Sequence, residues 1–195
     1  MRLFVALDIE EEIRSRILRS MDGVRGFAPD VRWVRPESPH VTLKFIGNKP
    51  DESVQEIKNA LAFLKTESFE IRFRGYGFFP NPKSARVFWA GIESGPPLFQ
   101  LAKSVDVALS ALGIEPEQHA CSPHLTLARG SGRSGGPQRL KDDTPNRHFE
   151  KLQKKLAALS VPEFGTMTAR EFFLYESHLG SGGSRYDKVA RFALD

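Results

Sequence analysis

Two short strings in this chain are almost the same: Ser38-Pro-His-Val-Thr-Leu43 and Ser122-Pro-His-Leu-Thr-Leu127. Their histidines stand 84 residues apart (124 − 40), far enough for each string to belong to its own sheet. After the proline both strings alternate polar and aliphatic residues, which is the period of a strand with one buried face. Residues i and i+2 of a strand share a face. His40 and Thr42 therefore point one way, while Val41 and Leu43 point the other. His124 and Thr126, backed by Leu125 and Leu127, repeat the arrangement. A fold for this chain has to hold two strands that each present an imidazole beside a hydroxyl.

The remaining sequence alternates strand and helix signals. Strand patterns occupy residues 2–9, 31–35, 40–46, 69–75, 85–92, 122–129, 163–169, 171–176 and 186–194. Helical spacing of apolar residues occupies 10–21, 51–65, 97–112 and 147–159. Residues 130–145 are rich in Gly, Ser, Pro and charge and read as a loop. No stretch of linker composition separates the two halves. The expectation is an α+β chain forming one domain over residues 1–195. It has two pseudo-symmetric lobes, one per half, each a small, mainly antiparallel sheet backed by helices, with a central cleft.

Forty per cent hydrophobic residues, fifteen of them Phe, supply a real core and exclude a disordered chain. The formal charge of +4 suits an anionic partner, although a small positive charge also aids solubility. The single cysteine, Cys121, rules out an intramolecular disulfide and suits a reducing compartment. It lies three residues before His124, which raises a Cys–His nucleophilic pair, but a small buried apolar residue is the simpler reading. The N-terminal apolar run is too short for a signal segment and ends in acids, and no stretch has the length of a membrane span. A soluble, cytoplasmic monomer is expected.

Two His and two Thr facing one cleft suit chemistry at phosphorus. One imidazole can activate an attacking water while the other protonates the departing oxygen. The Thr hydroxyls can hold the non-bridging oxygens. Neither motif offers a carboxylate or cysteine in phase with its histidine, so neither a metal nor a cofactor is expected. Lys44 is in phase with His40 and Thr42 and is either a candidate substrate ligand or a solvent-facing residue at the strand edge. Arg129 is another candidate ligand, but strict alternation puts it out of phase with His124, so it reaches the cleft only if the strand ends or twists there. Phe78 and Phe79 fall in the turn-rich stretch 77–82, where one ring can stack on a base or plug the core. Arg133, Arg139 and Lys141 can track an RNA backbone or simply be solvated. His119, His148 and His178 lie outside the repeat and carry no assigned role.

These residues carry a family resemblance over nearly the whole chain. It runs from the opening Arg2-Leu-Phe-Val-Ala-Leu-Asp8 through Trp33-Val-Arg-Pro36 into His40-Val-Thr-Leu-Lys-Phe-Ile-Gly47. It continues in Gly77-Phe-Phe-Pro-Asn-Pro82, Arg86-Val-Phe-Trp89, Ser122-Pro-His-Leu-Thr-Leu-Ala-Arg129, Glu176-Ser177 and Tyr186. The chain resembles the RNA 2′,3′-cyclic phosphodiesterases, or 2′-5′ RNA ligases, of the two-histidine phosphoesterase superfamily. The resemblance implies hydrolysis of a terminal RNA 2′,3′-cyclic phosphate, or of a cyclic nucleotide, to a 2′-phosphomonoester. It implies His40 as proton donor to the 3′ oxygen, His124 as the base for water, and Thr42 and Thr126 as phosphate ligands. Joining of RNA ends through a 2′-5′ bond is implied as the reverse reaction. The motif chemistry alone does not orient donor and acceptor. Two rival readings are a binding module without turnover, which would not need two proton-transfer groups, and an ATP-dependent ligase, for which no nucleotidyl-transfer lysine motif or Gly-rich phosphate loop is present.

Overall fold

A computed structural model describes residues 1–118, 122–130, 147–180 and 183–195. Its nine strands are β1 (Arg2–Leu7), β2 (Arg32–Trp33), β3 (Val41–Asn48), β4 (Phe69–Phe79), β5 (Val87–Ser94), β6 (His124–Arg129), β7 (Glu163–Ala169), β8 (Glu171–Gly180) and β9 (Gly183–Ala193). Four helices intervene: α1 (Glu11–Val24), α2 (Ser53–Ala62), α3 (Pro96–Ser110) and α4 (Glu150–Ala157). The strands form two antiparallel sheets, β3-β1-β8-β9 and β2-β6-β5-β4-β7. The expected α+β fold class and the placement of one motif in each sheet are borne out.

The lobes are not the two halves of the sequence. The first sheet takes β1 and β3 from the N-terminus and β8 and β9 from the C-terminus. The short β2 precedes β3 in the chain but pairs with β6 in the other sheet. The helices cross over as well: α1 follows β1 yet packs on β7, and α3 follows β5 yet packs on β3. Hydrophobic periodicity reports each element but not its neighbour, so pairing by proximity in sequence is misleading here. The apolar faces of both sheets merge into one cluster that includes Leu3, Val5, Ile71, Phe88 and Leu125. No helix among the described residues is long and apolar enough to cross a membrane.

A register slip in each motif strand decides what the cleft contains. On β3, Thr42 pairs with Ala6 and Lys44 with Val5, so Leu43 is the extra residue. On β6, Thr126 pairs with Trp89 and Ala128 with Phe88, so Leu127 is the extra residue. Such a bulge re-aims every side chain beyond it. Leu43 and Lys44 both turn towards the core, and Phe45 returns to the cleft face opposite Phe4. Leu127 and Ala128 likewise turn inward, and Arg129 returns to the cleft face opposite Val87.

The expectation for Lys44 as a substrate ligand is corrected by this slip. Lys44 is 2% exposed. Its ammonium donates to Asp106 Oδ1 on α3 at 2.7 Å and to the Glu115 carbonyl at 2.6 Å. Burial alone would raise the Asp106 carboxyl. The Lys44 hydrogen bond, with the Glu117 amide, instead holds it below the ordinary carboxylate range. Removing one partner of such a pair leaves an uncompensated buried charge, whereas replacing both with apolar groups does not. The Asp106→Ala variant should lose about 3–5 kcal/mol of stability in urea denaturation, and the double variant Lys44→Met/Asp106→Leu should recover most of it. Equal stability of the single and double variants would contradict the pairing.

Candidate active site

The two sheets meet where β3 and β6 approach, with Cα atoms within 8 Å of one another. The cleft face of the first sheet carries Thr42 and Phe45 beside Phe4 and Ala6, then Phe173 and Tyr175 on β8 and Tyr186 on β9. That of the second carries His124, Thr126 and Arg129 on β6, Trp89 on β5 and Phe79 on β4. His40 sits immediately before β3. The structure thus brings His40, His124, Thr42, Thr126, Arg129 and Phe79 to one cleft, and leaves Lys44 out.

Each histidine is held by the residue two before it. His40 Nδ1 lies 2.6 Å from the Ser38 carbonyl oxygen, and His124 Nδ1 lies 2.8 Å from the Ser122 carbonyl oxygen. A carbonyl only accepts, so Nδ1 carries the hydrogen in both rings and Nε2 is left with its lone pair. The intervening prolines explain the free carbonyls. Pro lacks an amide hydrogen and keeps the preceding residue extended, so the serine lies ahead of the strand ladder.

Aromatic rings wall in both imidazoles. Tyr186 stands edge-on to His40 with centroids 4.9 Å apart, and Phe4 is 4.8 Å away. Phe79 stands edge-on to His124 at 4.9 Å, with Trp89 beyond at 6.4 Å. The Trp89 ring lies so close over Gly77 that a Cβ there would come within 2.0 Å of it. Phe78 and Phe79 end β4 rather than occupying a loop, and they take opposite faces of it. Phe78 packs into the core on Phe88 and Phe149, and Phe79 faces the cleft.

The surroundings favour the neutral form of both histidines. Desolvation, helped by the Arg129 and His124 charges, outweighs the Ser38 carbonyl and Asp8 and lowers the His40 pKa to about 4. His124 is lowered as well, first by desolvation and then by Arg129, against the Ser122 carbonyl. Arg129 has much of its side chain open to water, yet the cleft walls are the first cause that lowers its own pKa.

Residues behind His40 that the motif does not reveal complete its surroundings. Asp8 continues the alternation Arg2, Phe4, Ala6 one step past β1, and that phase is a usable signal. Its carboxylate accepts from Arg14 at 2.7 Å and from Lys188 at 2.6 Å. These residues, with His40, Tyr175 and Tyr186, border a recess of about 190 Å³. A wider, open recess of about 690 Å³ at the start of α3 shares no residue with the cleft. Among the described residues no three His, Cys, Asp or Glu side chains converge as metal ligands. Cys121, His119, Arg133, Arg139 and Lys141 lie outside the described residues. His148 is exposed just before α4, and His178 pairs with Asp187 at 3.0 Å on the β8–β9 hairpin.

Comparisons with known proteins identify the family and the fold. A family model described as LigT-like phosphoesterase matches residues 7–89. The RNA 2′,3′-cyclic phosphodiesterase of Methanothermobacter thermautotrophicus is 33% identical over 195 residues, covering 99% of this chain and 98% of that protein. Its namesake from Archaeoglobus fulgidus is 34% identical over 195 residues, covering 98% and 99%. Among solved structures, TT0787 of Thermus thermophilus superposes with a TM-score of 0.77 at 26% identity, covering 100% of this chain and 98% of that one. Escherichia coli LigT complexed with 3′-AMP gives 0.75 at 25% identity, covering 99% and 97%. With two relatives above 30% identity matched end to end, this chain belongs to the LigT-like phosphoesterases, the family of the RNA 2′,3′-cyclic phosphodiesterases.

Proposed function

We propose that the protein hydrolyses terminal RNA 2′,3′-cyclic phosphates to 2′-phosphomonoesters, using its paired histidines as acid and base. The observation that carries this reading is the twin clamp, in which two imidazoles with Nδ1 tied to the i−2 carbonyl share one cleft. The names of the full-length relatives support the substrate.

In the proposed step, His124 Nε2 takes a proton from water as its oxygen bonds to phosphorus. The bond from phosphorus to O3′ breaks, and protonated His40 gives its Nε2 proton to O3′. The Thr42 and Thr126 hydroxyls donate to the non-bridging oxygens, where charge builds up. Arg129 adds a positive charge, and Phe79 keeps the His124 ring in place while offering a face to a base. With an RNA 5′-hydroxyl in the place of water, the same two proton transfers form a 2′-5′ bond. The chain acts as one domain, because neither lobe carries both motifs and one core joins them. It acts as a cytoplasmic monomer: both motif strands come from one chain, and the single cysteine suits a reducing compartment.

Turnover of a 2′,3′-cyclic nucleotide should persist in EDTA and yield the 2′-phosphate, identified by chromatography against both isomers. His40→Ala and His124→Ala should each lower kcat by about 10²–10⁴ with unchanged circular dichroism. Loss of turnover in EDTA, or normal rates in both variants, would overturn the mechanism.

The pKa directions set the pH dependence. In the free enzyme both histidines sit below their ordinary value, so at neutral pH the base is ready and the acid is unprotonated. A bound phosphate anion favours the imidazolium and raises these values. The alkaline limb of kcat/KM, which reports the free enzyme, should therefore lie at lower pH than that of kcat. NMR of the free protein should show His40 titrating at about 4 and moving upward with 2′-AMP. An ordinary His40 titration in the free protein would defeat this account.

A further inference from the structure

Arg129 is not alone on its face of the cleft. Arg32 on β2 is its directly opposed cross-strand partner. Opposed residues of an antiparallel pair project to the same side, with Cβ atoms about 5 Å apart. Arg2 comes from the other sheet. It opens β1 and alternates with Phe4 and Ala6, whose side chains form the cleft face there. Its charge and that of Arg32 both act on the Arg129 guanidinium. Three arginines, one from each of β1, β2 and β6, thus gather at one end of the cleft.

Several arginines elsewhere in the chain meet carboxylates: Arg14 with Asp8, Arg72 with Glu163, Arg185 with Asp187. Among the described residues no carboxylate forms an ion pair with Arg2, Arg32 or Arg129. Like charges directly opposed on two strands destabilise the pairing, so the sheet by itself is better off without this arrangement. A polyanion would reverse the sign. Each guanidinium offers a planar fork that matches phosphate oxygens. The same end of the cleft carries Phe45, the position equivalent to Arg129 after the Leu43 slip. It is 42% exposed, with its ring 6.1 Å from that of Phe4. An open ring beside a cationic groove is the usual arrangement for single-stranded nucleic acid.

We infer that Arg2, Arg32 and Phe45 form a second subsite beside the histidines, which holds the first internucleotide phosphate of the RNA and the adjoining base. The subsite rests on the reading of the cleft as a cyclic phosphodiesterase, and it makes the preferred substrate an oligonucleotide end rather than a mononucleotide. Arg129 lies between the two positions and serves the reacting phosphate.

The test compares a 2′,3′-cyclic mononucleotide with a dinucleotide ending in the same cyclic phosphate, in low salt. The wild type should favour the dinucleotide by at least about tenfold in kcat/KM, one good charge-assisted phosphate contact. Arg2→Gln and Arg32→Gln should each erase most of that preference while leaving mononucleotide turnover within about twofold, which also shows that the variants fold. Each should flatten the salt dependence of dinucleotide binding by roughly one unit of slope, and Phe45→Ala should weaken the dinucleotide alone. Equal rates on the two substrates in the wild type, or equal losses on both in the variants, would overturn the subsite and leave the enzyme reading intact. If neither substrate turns over, the enzyme reading fails. The subsite is then judged by binding: 2′-phosphorylated dinucleotide tighter than 2′-AMP in the wild type but not in the arginine variants supports it, and equal affinities overturn it.

Discussion

One extra residue in each motif strand governs what this cleft can do. If Leu43 and Leu127 were ordinary strand residues, Lys44 would face the cleft beside Thr42, and Ala128 would do so beside Thr126. The slip sends both into the core and brings Phe45 and Arg129 to the cleft in their place. Its two copies have different consequences. On β6 the inward position is a small alanine that fits the apolar core. On β3 it is a lysine, which the core accommodates through a carboxylate on α3 and the Glu115 carbonyl. The buried ion pair is thus a local solution to a geometric demand, and it ties β3 to α3 directly behind Thr42.

The two halves of the site begin from the same chemistry and are separated by their surroundings. Both rings carry their hydrogen on Nδ1 and turn Nε2 to the cleft, so tautomer does not tell acid from base. Environment does. Behind His40 lies the Asp8 carboxylate, which favours the imidazolium, but Arg14 and Lys188 hold that carboxylate. No such group is among the causes acting on His124, which has Phe79 and Trp89 for neighbours. A histidine with a partly neutralised carboxylate behind it is better placed to carry a proton once an anion arrives. Desolvation nevertheless outweighs Asp8 and holds His40 below its ordinary value, so His40 takes up its proton only when the phosphate anion arrives.

Much of this is legible from residue types at a period of two. The alternation in 40–43 and 124–127 is enough to put His and Thr on one face and aliphatics on the other. It fails at the residues after the leucines, because a bulge leaves no mark in a string of apolar side chains. Strict alternation assigns Lys44 to the cleft and sets Arg129 out of phase for the same reason. The partner strands are invisible too. Nothing in residues 31–35 says that they pair beyond residue 124, and nothing in 171–193 says that they complete the N-terminal sheet. Those facts depend on hydrogen bonds over long separations, to which local pattern is blind.

The interleaved path has a consequence for the rigidity of the site. Two lobes joined by a linker could open and close about it. Here β8 and β9 return to the first sheet, β2 crosses to the second, and α1 and α3 each leave one sheet to pack on the other. Changing the angle between the sheets would pull α1 from β7 and α3 from β3, exposing apolar surface from a single continuous core. Core packing therefore resists a change in the angle between the sheets, and the Ser carbonyl clamps resist rotation of each imidazole. A site held in this way has its imidazoles and hydroxyls in position before the phosphate enters, which is the condition under which fixed dipoles contribute most to a transition state.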